Sequence, residues 1–532
     1  RLNGGGAKAY WGFVKGQCLP VAILAAILLL VALIGALVSM PLFRAADYRD
    51  LLTVEDGKFT EDISQISFDE IPTLDRTSAE FLGDRQMGTL SDMVSQFEYS
   101  NDSTQINYQG RPVRVAPIAY ADLIKWFTNR SQGLPAYVIV DMVTQEATVV
   151  RLEEGMKYSF SEPLNRNIVR HLRFQYPTYM FGTPQFEIDE DGRPWWIAPR
   201  VVKTIGLFGG TDIKGAVLVD AITGESTYYE EVPTWVDNVY TPELIMEQYD
   251  YHGTLVNGFI NSILGQRGVT VTTEGYNYIA LNDDVYVYTG ITSANADQSN
   301  LGFLLSNQRT KETKFYDAPG ATEYAAMASA QGVVQDLGYE ATFPLLLNIA
   351  GEPTYFIPLK DAASLVKSYA MVNVARYDIV ATGNSVTACE QAYIRQLTEK
   401  GVTQAEELPQ TQVSGIVAEI RSAVLEGNTY YFVRLEGEDV FYSISAAQNR
   451  EVVTLNVGDL VTIDHAVAAE GSQSSILDGY SLAILDVIGE ADSPTDTIPQ
   501  PAVSSFSPLD SEQIGVIGGA DGLTAIITQP KA

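Results

Sequence analysis

DEDGRPWWIAP, Asp189 to Pro199, is followed by AVLVDAITGESTYY, Ala216 to Tyr229. In the first, a polar turn with one glycine opens into an apolar, aromatic run. In the second, an apolar β-branched run closes on a polar turn that carries Thr223 and, two residues later, Glu225. Runs of this kind around such turns predict β-hairpins.

Both stretches recur. The first has counterparts in NYQGRPVRVAP (107–117), TEGYNYIALN (273–282) and NIAGEPTYFIP (348–358). Their glycines, Gly110, Gly192, Gly275 and Gly351, are 82, 83 and 76 residues apart. The second recurs as YVIVDMVTQEATVV (137–150) and GFLLSNQRTKETKFY (302–316), with Thr144 and Glu146 or Thr310 and Glu312 at the turn. A degenerate copy is YDIVATGNSV (377–386). Stretches of helical character precede each glycine, at 79–98, 159–176, 241–263 and 320–337. Thr241-Pro242-Glu243 supplies an N-cap followed by proline at the first helical position. Each unit therefore reads helix, hairpin, short helix, hairpin. A helix buries its apolar stripe on a sheet, so the fold class is α+β in four tandem units. DEDG is read as a hairpin turn, because it lacks the ligand spacing of a calcium loop.

The turn Asp220–Glu225 after an apolar strand, with a helix before the sheet, resembles the PepSY-like family of small extracytoplasmic α+β modules. The resemblance implies binding or inhibition rather than catalysis, and no site residue is carried over from it.

PVAILAAILLLVALIGALVSMPLF, Pro20 to Phe43, holds 24 residues without a charge. That length predicts one membrane-spanning helix. Arg1, Lys8 and Lys15 precede it, whereas 44–70 carry three basic and eight acidic residues. The bias predicts a cytoplasmic N-terminus and an outer location for the residues after Phe43. The apolar stretch is longer than the usual core of a signal peptide, which favours an uncleaved anchor. A chain that starts with Arg1 leaves open further residues or spans upstream.

The chain has 532 residues and a net charge of −32, which disfavours nucleic acid as a partner. Of its two cysteines, Cys18 lies just before the apolar stretch and Cys389 far outside it, so they predict no disulfide framework. His171, His252 and His465 show no metal-ligand spacing, and no CxxC or HExxH occurs. No cofactor is expected. GxSxG and P-loop patterns are absent, and the sequence favours a protein without catalytic function. A glycan-acting surface enzyme is the alternative. It requires a cleft where Trp195, Trp196 or Trp235 meets two close carboxylates.

After the polar connection 399–409 the texture changes. VSGIVAEIRSAVLEGNTYYFVRLEG, DVFYSIS and VGDLVTIDHAVAA alternate as half-buried strands do, with Gly427-Asn428 as a turn. Residues 411–488 resemble the OB-fold. The face that would carry nucleic acid in such a fold has aromatics, Tyr430, Tyr431 and Phe432, but too many acids for phosphate. A purely structural module is the first reading, and a protein- or glycan-facing barrel stays open.

Residues 491–510 are rich in proline and serine and read as a linker. Then comes IGVIGGADGLTAIIT, Ile514 to Thr528. It resembles the IGGADGPT motif of the β subunits of sodium-pumping carboxylic-acid decarboxylases, with Leu523 in place of the family's proline. There the aspartate is implicated in ion handling, but here the surrounding polytopic domain is missing. Read physically, Ile514, Val516 and Ile517 lie before Gly518, Gly519, Asp521 and Gly522, and Ile526 after them, which predicts a small hairpin. A lone hairpin is marginal in water, so these residues either dock on a sheet edge or groove of their own chain or of a partner, which makes them the candidate partner-docking site, or pack back as an ordinary terminal strand.

The expected order is a cytoplasmic segment (1–19), membrane helix (20–43), juxtamembrane acidic segment (44–78) and units 79–158, 159–240, 241–318 and 319–398. The OB-like domain (411–488), linker (491–510) and apolar tail (511–532) come after them. The expected function is a single-pass envelope protein that binds or scaffolds protein partners at the cell surface. An accessory subunit of a membrane complex, ion-translocating or not, is a second alternative.

Overall fold

The computed structural model describes residues 7–63, 71–281, 283–294, 299–402, 411–425, 428–446, 449–465, 476–486, 518–519 and 522–523. Two compact units emerge, Arg1–Pro409 and Gln410–Ala532. The fold is mixed α+β with an apolar N-terminal helix and many sheets.

In the first unit four sheets follow one plan. Two short strands pair one after the other along one edge of a long strand, which pairs with a second long strand and then a last one. In the first sheet these are Phe97–Tyr99, Thr104–Tyr108, Arg111–Tyr120, Leu134–Asp141 and Ala147–Met156. The second sheet has Met180–Phe181, Gln185–Ile188, Pro194–Ile205, Gly209–Asp220 and Ser226–Tyr229. The third has Thr270–Thr272, Asn277–Leu281, Asp284–Ser293, Ser299–Asn307 and Thr313–Ala321. The fourth has Glu340–Ala341, Leu345–Ile349, Glu352–Lys360, Val366–Asn373 and Val380–Gly383. Residues that follow the apolar helix also join in, since Glu55–Gly57 runs parallel to Lys314–Tyr316 as an extra edge strand of the third sheet.

One helix leads each sheet: Arg76–Gly88, Ile168–Gln175, Pro242–Thr254 and Glu323–Val333. Each begins at a side chain that accepts a hydrogen bond from a first-turn N–H, namely Asp75, Asn167, Thr241 and Thr322. The first two sheets share one apolar core, around Tyr137, Phe186 and Trp196. The last two share another, around Tyr288, Phe303, Tyr355 and Phe356.

Four expectations change. The short helix between hairpins exists in the first sheet, Leu123–Asn129, but in the second the link is the turn Gly206–Phe208 and in the fourth it is the turn 361–365, where Asp361 accepts from Ala363 and Leu365 N–H. In the third sheet the glycine read as the repeat mark, Gly275, is not the hairpin turn. That role falls to Asp283, at φ +68°, between the paired residues Leu281 and Asp284. Aspartate tolerates the left-handed region better than most residues, so the turn survives without glycine. In the fourth sheet the hairpin's first strand is Val366–Asn373, whereas 377–386 holds the turn's end and the second strand. The apolar helix spans Ala7–Val38, not Pro20–Phe43: it breaks at Ser39-Met40 and Pro41 starts a second helix, Pro41–Arg49.

In the second unit, Thr411–Leu425 pairs with Asn428–Leu435 and with Leu460–His465. Asn428–Leu435 pairs onward with Phe441–Ser445, which lies parallel to Ile476–Asp486. Ile476–Asp486 pairs back to Leu460–His465, so each strand has two neighbours. Val433, Leu435, Ile444, Val461 and Ile463 form the core within.

Candidate functional site

The end of the apolar helix is fastened into the first unit by one serine. Ser39 is 5% exposed. Its hydroxyl donates to Gly35 O (2.6 Å) and accepts from Leu207 N–H (3.1 Å) and Phe208 N–H (3.2 Å). Its carbonyl accepts from Tyr48 Oη–H at 2.7 Å. The hairpin tip 206–208 of the second sheet thus closes on the last turn of the helix. Two glycines make this possible. Gly206 sits at φ +61°, and a Cβ there would lie 2.3 Å from Ser39 Oγ. A Cβ on Gly35 would lie 2.7 Å from Leu207 Cδ1 and 2.9 Å from Phe208 Cε2. Below this joint, Tyr48, Ile205 and Leu255 form a buried cluster with Ala45, Tyr251 and Phe259 against it. His252 Nδ1 lies 3.1 Å from Arg49 O, tying the second helix to Pro242–Thr254.

Beside the joint runs an acidic groove of about 580 Å³. Glu243, Glu247 and Asp250 line it from one face of Pro242–Thr254, since residues spaced by four and three stack on a helix. Thr272, Thr273 and Glu274 form part of the other wall. Asp250 accepts from both Thr272 N–H (2.8 Å) and Thr272 Oγ–H (3.1 Å), and burial pushes its carboxyl above the usual range. Tyr276 Oη–H donates to Glu243 at 2.9 Å. The groove's charge suits a cationic group.

Elsewhere two carboxylates, Glu187 and Asp237, are buried together. Glu187 accepts from Asp237 N–H and Asn238 N–H, both at 2.9 Å. Asp237 accepts from Asn107 N–H at 2.7 Å. Burial pushes the Glu187 carboxyl up to about 7, and burial with the Glu187 charge raises Asp237 well above its ordinary value. These acids hold backbone amides of neighbouring segments together.

Of the tail residues, Gly518 pairs with Leu523 and Gly519 with Gly522 in an antiparallel ribbon. Ile514, Val516, Ile517, Asp521 and Ile526 lie outside the described residues, as does the linker 491–510. Trp196 is fully buried and its indole N–H donates to Tyr158 O, so it lines no cleft. Trp195 packs on Trp235 at 5.8 Å and donates to Asp189 at 2.9 Å. Asp189 also accepts from Asp191 and Arg193 N–H, which makes DEDG a hairpin turn. Thr223 and Thr310 hydroxyls accept from Glu225 and Glu312 N–H, while Glu146, Glu225 and Glu312 are exposed. Among the described residues no group of three or more His, Cys, Asp or Glu could hold a metal ion. The Ser39 joint was not legible locally: it links residues 168 and 169 positions apart.

No family model matches the chain, and no curated protein matches it. Among solved structures, it is similar to a protein of unknown function from Dyadobacter fermentans, with 12% identity over 74% of this chain and 84% of that one and a TM-score of 0.18. It is also similar to the polysaccharide lyase Uly1, with 7% identity over 69% and 74% and a TM-score of 0.17. At these scores neither likeness bears on fold or function.

Proposed function

We propose that this is a membrane-anchored extracytoplasmic protein of a bacterial envelope that binds or scaffolds protein partners. The observation that carries the reading is the Ser39 joint. A signal peptide is removed and leaves no structural role behind, whereas here Gly35 and Ser39 complete the packing of the Gly206–Phe208 turn. That supports an uncleaved anchor. The single strand plan shared by four sheets supports four tandem PepSY-like units. The cyclic order of the second unit's strands, with its one parallel pair, supports an OB-like domain in 411–488. Binding modules in series on one anchor make a scaffold.

The test is expression in a bacterium with an epitope at each end. The chain should keep both epitopes, stay with membranes through alkaline carbonate, and lose its ectodomain to protease added to intact cells. A chain shortened past Ser39, or one released by carbonate, defeats the anchor reading. Protection from outside protease reverses the orientation.

A further inference from the structure

We propose that the base of the first unit is a lipid-inserting collar, so that the ectodomain rests in the outer leaflet instead of standing clear on a stalk. The proposal rests on the anchor reading above.

An apolar stretch from about residue 19 to Val38 is long enough, at about 1.5 Å per residue, to fill the roughly 30 Å hydrocarbon layer. Gly35 is then within the last turn below the interface. Leu207 and Phe208 pack directly on Gly35, and their backbone is bonded to Ser39. These two side chains therefore reach the depth of lipid, and both are more than half exposed. A hairpin tip carrying Leu-Phe in water would be costly, but beside a membrane helix it meets acyl chains.

A second element converges on the same place. Phe259 packs inward on the cluster of Tyr48 and Ile205, the strand end that leads into the hairpin tip. From that turn Ile260, Ile263 and Leu264 point away, at 70%, 58% and 82% exposure. They recur at helical spacing on one face of this short turn, while Asn257, Asn261 and Ser262 bond backbone within the same segment, at Arg267 O and Phe259 O. Lys203 and Arg267, both exposed, flank the two elements in the chain and suit the phosphate layer. Continuity with the membrane helix is what selects lipid as the occupant over a protein partner.

The experiment uses the full chain carrying Cys18→Ser, reconstituted in phosphatidylcholine vesicles. Single cysteines at Phe208 or Leu264 carry a nitroxide, with Leu29 in the membrane helix and exposed Leu123 as references; Cys389 is fully buried and stays unlabelled. Relaxation by oxygen and by a water-soluble nickel chelate reads depth. Labels at 208 and 264 should favour oxygen, as at 29, and Leu123 should favour nickel. If either 208 or 264 tracks 123 while 29 remains in lipid, the collar is overturned and the anchor stands. If 29 itself reads aqueous, the anchor reading fails, and the collar with it.

Discussion

Arg193 and Asp220 form a close ion pair, with Arg193 Nη2 2.5 Å and Nε 2.6 Å from Asp220 Oδ2, across the two long strands of the second sheet. The same place in the first sheet holds Arg111 and Asp141 at 2.9 Å. In each case the arginine stands two residues before the strand residue that faces the aspartate, Trp195 or Val113. In the third and fourth sheets that arginine position is taken by acids. Asp284 accepts from Asn307 (2.7 Å) and Glu352 from Asn373 (3.4 Å). The charge has changed ends, and the contact across the turn has been kept.

Asp220 does two jobs. Its other oxygen accepts from Ile222 N–H (2.8 Å) and Thr223 N–H (2.9 Å), holding the turn. Asp220→Ala should cost about 2–4 kcal/mol locally, because it removes both turn bonds and leaves the guanidinium without its partner. Arg193→Met should cost less, about 1–2 kcal/mol, since Arg193 is part exposed. Arg193→Glu puts two carboxylates together and should be worst, and adding Asp220→Asn should recover most of the loss by recreating the Glu352–Asn373 arrangement. Hydrogen exchange at amides 218–224 reads each variant; no recovery in the double variant would rule out equivalence of the pairs.

These pairs explain what was readable in the sequence. Gly110, Gly192 and Gly351 announce hairpin turns because each occupies a positive φ. The apolar runs announce strands, and the uncharged run Pro20–Phe43 announces an apolar helix, though its bounds are Ala7–Val38. Asp283 hid the third turn, as an acid in the left-handed region carries no glycine signature. The fourth turn hid because its bond from Asn373 N–H to Ile379 O spans one residue more than the bond from Asp220 N–H to Glu225 O. The ion pairs and the Ser39 joint need register between distant segments, which periodicity does not supply.

Ser39→Ala should loosen the joint rather than unfold the protein. Two N–H groups, of Leu207 and Phe208, lose their acceptor, at about 1–3 kcal/mol. Gly206→Val should be more severe, combining a β-branched residue at φ +61° with a Cβ clash on Ser39. Chymotrypsin cleavage at Leu207–Phe208 in vesicles should be slow in the wild type, faster in Ser39→Ala and fastest in Gly206→Val. Equal rates in all three would mean the hydroxyl does not hold the turn.

The tail residues Ile514, Val516, Ile517 and Ile526 make a separate prediction. Detergent pull-down with the full chain should recover protein partners that a chain lacking 511–532 does not, while thermal unfolding of the two stays within about 2 °C, because a terminal segment beyond a linker adds little to a packed core. Identical partners in both pull-downs would remove the docking role.

Stability should fall as pH rises from acid to mildly alkaline, and two buried acids set the direction. Glu390 is 5% exposed, and burial raises its carboxyl from 4.5 to about 8. Glu187 rises from 4.5 to about 7. The folded state thus holds protons that the unfolded chain releases near 4.5. The sign is fixed: the favourable contribution is complete below about pH 4.5 and is lost as pH climbs through 7 and 8, at about 1.4 kcal/mol per pKa unit. Glu390→Gln stays neutral throughout. Its melting temperature should match the wild type near pH 4.5 and exceed it at pH 8.5, by several degrees. Asp237→Asn should show the same trend, since it removes the charge beside Glu187 and keeps an oxygen for the Asn107 N–H. The two effects should add, because the acids lie in different cores, the one at Glu390 packed beneath the fourth sheet by its neighbours Cys389 and Tyr393. Melting curves of the four proteins at the two pH values decide it: variants that gain nothing at pH 8.5 would mean that both carboxyls ionise in the fold without penalty.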